Sequence, residues 1–211
     1  MADPDIYLQS MVGGGENTPA NLRLRSDADN PEVTGGAVEE LVVDGGMELW
    51  SSSTNLTNWE EALAGTSTIN REDSVIHGGS YSCRYDIDAG DTFIEMYQGI
   101  NIPVSTPCTL SFWYKTTGTA LCGWILIADV SWVGLRADGS WAGTETNDLP
   151  PSPSGWTKII MPFTSHSSDT HYWLKPRAGV APSASIYFDD FSLTMSVASE
   201  STWIPKVIMV M

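Results

Sequence analysis

The chain has 211 residues, with 26 acidic and 10 Lys or Arg side chains, a formal net charge of −16 and a sequence pI of about 4.2. A surface of that sign repels a phosphate backbone and an anionic membrane, which argues against both as partners. Hydrophobic residues make up 42% and charged residues only 17%, so a core can be buried under a surface of Ser, Thr, Asn and Gly, a composition that suits strands and turns rather than surface helices.

In chain order, residues 1–43 hold too few large apolar side chains for a core of their own. Gly13-Gly14-Gly15 and Gly35-Gly36 are flexible breaks. Asn21 to Arg25 alternates like a strand, Ser26 to Pro31 is a turn cluster, and Val38 to Val43 can form a short strand. This stretch is expected to be an extended arm lying on its own sandwich or on a neighbour. From Asp44 the pattern becomes short apolar runs between turn signals. Strands are expected near 68–71, 80–87, 93–98, 109–115, 123–128, 156–163, 171–176 and 185–193, with one helical turn near 58–63. About eight strands at short spacing, with Gly, Pro, Asn and Asp between them, predict an all-β jelly-roll β-sandwich over 44–196. The segment 197–211 ends in an apolar run, Trp203 to Met211. Such a C-terminal tail would be aggregation-prone if free, so it should bury itself against the chain's own sheet or a neighbour.

Three cysteines, Cys83, Cys108 and Cys122, form no closed disulfide set and lack zinc spacing; they read as reduced and buried. The N-terminus has neither a basic region nor an apolar one, so no secretion signal is expected, and no apolar stretch is long enough to span a membrane. His77, His166 and His171 have no metal-ligand spacing, and neither a His-Glu-x-x-His nor a Gly-x-Ser-x-Gly pattern occurs. Paired acids such as Glu60 and Glu61, or Asp88 and Asp91, are better read as solvated or structural than as a glycosidase dyad. No enzymatic activity is expected.

Four motifs stand in order: Gly45-Gly46-Met47-Glu48 ahead of Trp50 and Trp59, His77-Gly78-Gly79-Ser80-Tyr81-Ser82, Leu110 to Lys115, and Ile186-Tyr187-Phe188-Asp189-Asp190-Phe191-Ser192-Leu193. Over about Asp44 to Thr194 this resembles the jelly-roll carbohydrate-binding modules, a galactose-binding-like β-sandwich also found on phage virion decoration and tail proteins. The resemblance implies a structural calcium stapling the first and last strands. Its ligands would be Glu48 and one of Asp189 or Asp190, with backbone oxygens near Gly46 and the Gly79-Ser80 turn; calcium's need for six to eight hard oxygens agrees.

Sugar binding needs flat aromatic faces, and the chain has nine tryptophans. Alternation puts Leu110, Phe112 and Tyr114 on one face and Trp113 on the other. Trp113, Trp124, Trp132, Trp141 and Trp173 are the candidate glycan-binding residues, with core packing as the competing use of each. Together with the absent signal, the resemblance implies a virion structural protein, a capsid decoration or cement protein made in the host cytoplasm. It would contact other virion proteins (capsid or tail subunits), form a homo-oligomer and adhere to host-surface glycans. The alternative is a carbohydrate-binding module of a larger adhesin or glycan-active enzyme.

Overall fold

A computed structural model describes residues 38–117, 122–123, 125–136, 138–143, 155–178 and 184–197. Most of the expected arm, the tail from 198 and Trp124 lie outside the described residues. Among these there is no helix but sixteen strands: β1 (Val38–Glu40), β2 (Trp50–Ser52), β3 (Asn55–Leu56), β4 (Glu60–Leu63), β5 (Thr68–Glu72), β6 (Ser82–Ile87), β7 (Ile94–Asn101), β8 (Pro107–Thr116), β9 (Cys122–Gly123), β10 (Leu126–Ala128), β11 (Val133–Leu135), β12 (Trp141–Ala142), β13 (Thr157–Thr164), β14 (His171–Leu174), β15 (Arg177–Ala178) and β16 (Ala184–Ser196). One antiparallel sheet runs β13-β8-β16-β6-β5, with β1 also on β16; the second runs β12-β11-β10-β14-β7-β15-β9, with β4 also on β7. The all-β sandwich read from alternation is the fold.

Strict alternation makes the core. Along β8, Cys108, Leu110, Phe112, Tyr114 and Thr116 are buried while the residues between them are not. Facing them from the second sheet are Ile94, Met96, Ile100, Leu126, Tyr172 and Leu174, all buried. Tyr85 of β6 ties the layers together: its hydroxyl accepts from Met96 N at 2.7 Å and donates to Pro176 O at 2.9 Å.

The long last strand changes register between Asp189 and Ser192. Two residues there oppose Phe112 alone, a β-bulge with Asp190 in the left-handed region at φ 50. The bulge lets Phe188 and Phe191 both enter the core, where Phe191 stacks on Phe112 at 4.8 Å. Gly45 lies against this bulge. A Cβ there would overlap Phe191 O, and Gly45 O accepts from Phe191 N at 2.8 Å. Met47 fills the core beside it, fully buried. The start and end of the domain are therefore one structural unit.

Two expectations change. Residues 58–63 do not form a helical turn: β4 is extended, with Glu61 opposite Met96 and Leu63 opposite Ile94, because pairing with β7 satisfies more backbone than one isolated turn could. The sheet also begins before Asp44. Val38, Glu39 and Glu40 pair with Ser196, Met195 and Thr194, where β6 no longer covers that edge of β16. Glu40 Oε1 then accepts from Leu193 N at 2.9 Å. Residues 38–40 of the expected arm thus add an edge strand to the sheet.

Candidate functional site

The register of the second sheet builds its outward face row by row. Ala62 pairs with Glu95, and Glu95 with Arg177. Glu60 pairs with Tyr97. Gly99 pairs with Trp173, Trp173 with Ile127, and Ile127 with Gly134. Asn101 pairs with His171. The inward partners Ile94, Met96, Tyr172 and Leu174 alternate with these residues, so core burial fixes which side the site residues take.

Tyr97 and Trp173 form its aromatic centre, with ring centroids 5.6 Å apart and planes at 81°. Polar contacts fix both rings. The Tyr97 hydroxyl donates to Glu60 Oε2 at 2.7 Å, and that bond, with a smaller contribution from burial, pushes the phenol's pKa up. Trp173 Nε1 donates to Asp129 Oδ1 at 2.7 Å, and Asp129 Oδ2 lies 3.4 Å from His171 Nδ1. Gly99 gives the room: a Cβ there would stand 3.0 Å from His171 Nε2 and 3.4 Å from Trp173 Cζ3.

Beside the rings is a charged trio. Glu95 is only 5% exposed. Its Oε1 pairs with Lys175 Nζ at 2.9 Å, and Arg177 Nε stands 3.7 Å from its Oε2. That Oε2 is buried and accepts no hydrogen bond among the described residues, an expensive condition for a carboxylate. Lys175 Nζ also lies 5.8 Å from the Tyr97 ring centroid, and the Arg177 guanidinium 4.8 Å from that of Phe93. Aromatic faces ringed by carboxylates, cations and Asn101 can hold a flat, hydroxyl-rich ligand.

The structure separates the tryptophans that the sequence grouped. Trp113 sits on the outward face of the other sheet, as alternation expected, but His77 stacks on it at 3.8 Å and Lys158 Nζ lies 5.7 Å from its ring centroid. Trp141 is half-buried, with its edge against Phe163 at 5.8 Å and its Nε1 donating to Thr164 O at 2.9 Å. Trp132 is 59% exposed on the turn after β10. Among the candidates within the described residues, only Trp173 stands in the Tyr97 cluster. Tyr97, Glu95, Lys175 and Arg177 escaped the sequence reading; their signal was their alternation with Ile94, Met96 and Leu174.

The acids expected to hold calcium lie where the loop after β1 and the loop before β6 meet the bulge of β16. Glu48 Oε1 accepts from Ser80 N at 2.7 Å and Tyr81 N at 3.2 Å. A Cβ on Gly46 would lie 3.8 Å from both Asp190 Oδ1 and Glu48 Cγ, and one on Gly78 would meet Asp190 Oδ2 at 2.8 Å. The Asp190 and Glu48 side chains thus converge on glycines that leave space around them. Asp190 Oδ2 is also 2.6 Å from His77 Nδ1. Asp189 is different: it is fully buried, its Oδ2 accepts from His77 N and Gly78 N, and its Oδ1 from Asp190 N. Burial pushes its pKa up to about 6 against those amides, and the neighbouring Asp190 charge adds to the rise. Among the described residues no group of three or more His, Cys, Asp or Glu side chains is placed to hold a metal, so a cation here would depend on backbone oxygens. The other acid pair is structural: Asp91 Oδ2 accepts from Thr66 N and Ser67 N, and Asp88 accepts from Thr66 Oγ1.

No protein-family model matches the chain, and no curated protein matches it in sequence. Solved structures do. The carbohydrate-binding module TmCBM61, solved with β-1,4-galactotriose, superposes with a TM-score of 0.53 at 13% identity, over 74% of this chain and 97% of that one. The fold is that of the jelly-roll carbohydrate-binding modules. The same module fold occurs in the enzymatically active domain of tailspike protein 4 from bacteriophage CBA120, with a TM-score of 0.54 at 14% identity over 74% of this chain. There the match spans only 21% of the solved chain, so the likeness covers about a fifth of that structure. A cyclase from Fischerella sp. TAU also shares the fold, with a TM-score of 0.54 at 10% identity over 75% of this chain and 98% of that one. The module fold thus serves binding and catalysis alike, and function has to be argued from the site.

Proposed function

We propose that this chain is a non-catalytic glycan-binding module whose site is the outward face of the second sheet. The observation that carries the reading is the Tyr97–Trp173 pair, held by Glu60 and Asp129 beside the Glu95–Lys175 ion pair. Stacking on such rings takes the apolar face of a pyranose, and the charged groups give its hydroxyls charge-assisted partners. The rings stand at 81°, so they offer a corner to a sugar rather than a flat platform. Glu60, Glu95 and Asp129 outnumber Lys175 and Arg177 by one charge, and the chain carries −16, so the ligand is a neutral glycan. The test is mobility of the full chain in native gels containing neutral and uronate polysaccharides. Retardation by a neutral glycan supports the reading, and retardation by none refutes it. Release of no new reducing ends from the same panel is the expected result for a binding protein.

The biological setting that we propose is a virion: a capsid decoration or cement protein in contact with capsid or tail subunits, adhering to host-surface glycans through this face. The likeness to a tailspike region supports that setting. The likeness over nearly the full length of an isolated module favours the alternative, a module of a larger adhesin or glycan-active enzyme. Deleting residues 1–37 separates them: loss of particle or oligomer assembly with the sandwich intact supports the virion reading, and no effect supports the alternative. A structural calcium is part of the proposal, held by Glu48 and Asp190 with backbone oxygens near Gly46 and the Gly79-Ser80 turn; Asp189, already engaged by three amides, serves the fold instead. The ion would neutralise converging acids where the domain's two ends meet. Loss of thermal stability on chelation, restored by added calcium, is the expected result.

A further inference from the structure

We propose that the turn between β10 and β11 carries a second stacking subsite, in which Trp132 receives the continuation of a neutral glycan chain seated on Tyr97 and Trp173. The inference rests on the glycan reading above and adds the length of ligand that the protein recognises.

The turn is continuous with the first site. Its first residue, Asp129, accepts the hydrogen bond of Trp173 Nε1 and lies beside His171. Its flanks are the row that carries Trp173: Ile127 pairs with both Trp173 and Gly134. Val133 pairs with Ala128 and packs on the core, so Gly134, its neighbour on β11, belongs to the outward side. Gly134 leaves that side open next to the turn, where an added Cβ would meet nothing nearer than Leu126 O at 4.0 Å.

The turn is also built to present its side chains. Val130 is 80% and Trp132 59% exposed, two apolar neighbours in water on one short turn. Trp132 holds φ 49, a left-handed conformation that a bulky residue avoids unless its surroundings impose it. Buried Asp169 clamps the two residues before Trp132: Oδ1 accepts from Val130 N at 2.8 Å and Ser131 N at 3.2 Å, and Oδ2 accepts from the Ser131 hydroxyl. A backbone already clamped before binding loses little freedom on binding, and a tryptophan side chain has few torsions to fix, which favours a stacking platform.

The experiment is calorimetric titration of the full chain with a ladder of oligosaccharides from the neutral glycan that retards it, comparing wild type, Trp132→Asn, Trp132→Tyr and Trp173→Ala. Asn tolerates the left-handed conformation, so loss of the ring is separated from loss of the turn. Wild-type affinity should rise with chain length. Trp132→Asn should leave the shortest ligand that binds unchanged and lose about tenfold on the longest, about 1.4 kcal/mol, with Trp132→Tyr recovering most of it. Affinity independent of length, or equal effects of Trp132→Asn on short and long ligands, would overturn the subsite while leaving the first site standing. Failure of every glycan to bind wild type would overturn both. Binding that survives Trp173→Ala would remove the first site and with it the subsite that extends it.

Discussion

Replacing Asp169 by Ala should both destabilise the protein and weaken ligand binding, although Asp169 belongs to neither aromatic ring. Asp169 is fully buried and receives two backbone amides and a hydroxyl from the turn, with His166 Nδ1 2.8 Å from its Oδ2. Burial alone would raise its pKa. The Ser131 hydroxyl, the Val130 and Ser131 amides and His166 outweigh burial and hold the carboxyl below its ordinary range. Hydrogen bonds to a charged group contribute about 1.5–3 kcal/mol each when shielded from water. The turn they secure is largely exposed, so the total falls to about 2–3 kcal/mol, which for a chain of this size is a Tm lowered by roughly 5–10 °C. Released from Asp169, the turn no longer fixes Asp129, and Trp173 loses its orienting partner. Differential scanning calorimetry and glycan titration together read both effects. A Tm change under about 2 °C, or a large Tm change with unaltered glycan affinity at a temperature where the variant is folded, would refute the coupling between clamp and site.

Four further outcomes are expected. Gly99→Ala should cut glycan affinity several-fold by pushing His171 and Trp173 off their strand, with little change in Tm; equal affinity in titration would contradict the close approach. Asp189 holds its proton to about pH 6 when folded and loses it near the ordinary carboxylate value when unfolded. Its stabilising contribution is therefore complete at low pH and fades as the pH rises through about 6. In chelator the melting temperature should carry a component that falls from pH 5 to pH 7, and added calcium should stabilise more at pH 7 than at pH 5; a calcium effect independent of pH would contradict this. Burial drives the Cys108 thiol up to about 11 and raises Cys83 as well, so peptide mapping after alkylation at pH 8 should find both largely unmodified in the folded protein. Phe112→Ala removes a ring stacked on Phe191 and should cost about 3–5 kcal/mol in urea unfolding; a loss under 1 kcal/mol would mean that the core closes without it.

The strands were legible because their signal is local. Leu110-Ser111-Phe112-Trp113-Tyr114 states its own inward and outward faces, and the motif from Gly45 to Glu48 announced its meeting with the last strand, where Gly45 abuts Phe191. The site was less legible because it depends on register. Tyr97 lies 76 positions before Trp173 in the chain, and only the pairing of Gly99 with Trp173 and Glu60 with Tyr97 brings these residues together. Trp113 shows the converse: its face was readable, but the loop that lays His77 over it was not. The short run around Glu60 carries no period long enough to distinguish a turn of helix from an edge strand, and β7 decides that question by pairing with it.

Titration of the retarding glycan into wild type, Trp173→Ala and Tyr97→Ala, each shown to be folded by calorimetry, decides whether the outward face of the second sheet binds it. Either substitution should lower affinity at least tenfold, about 1.4 kcal/mol, while Trp113→Ala leaves it unchanged. Binding that persists without Trp173 and Tyr97 would remove the site from this face, and binding that disappears with Trp113 would place it on the other sheet.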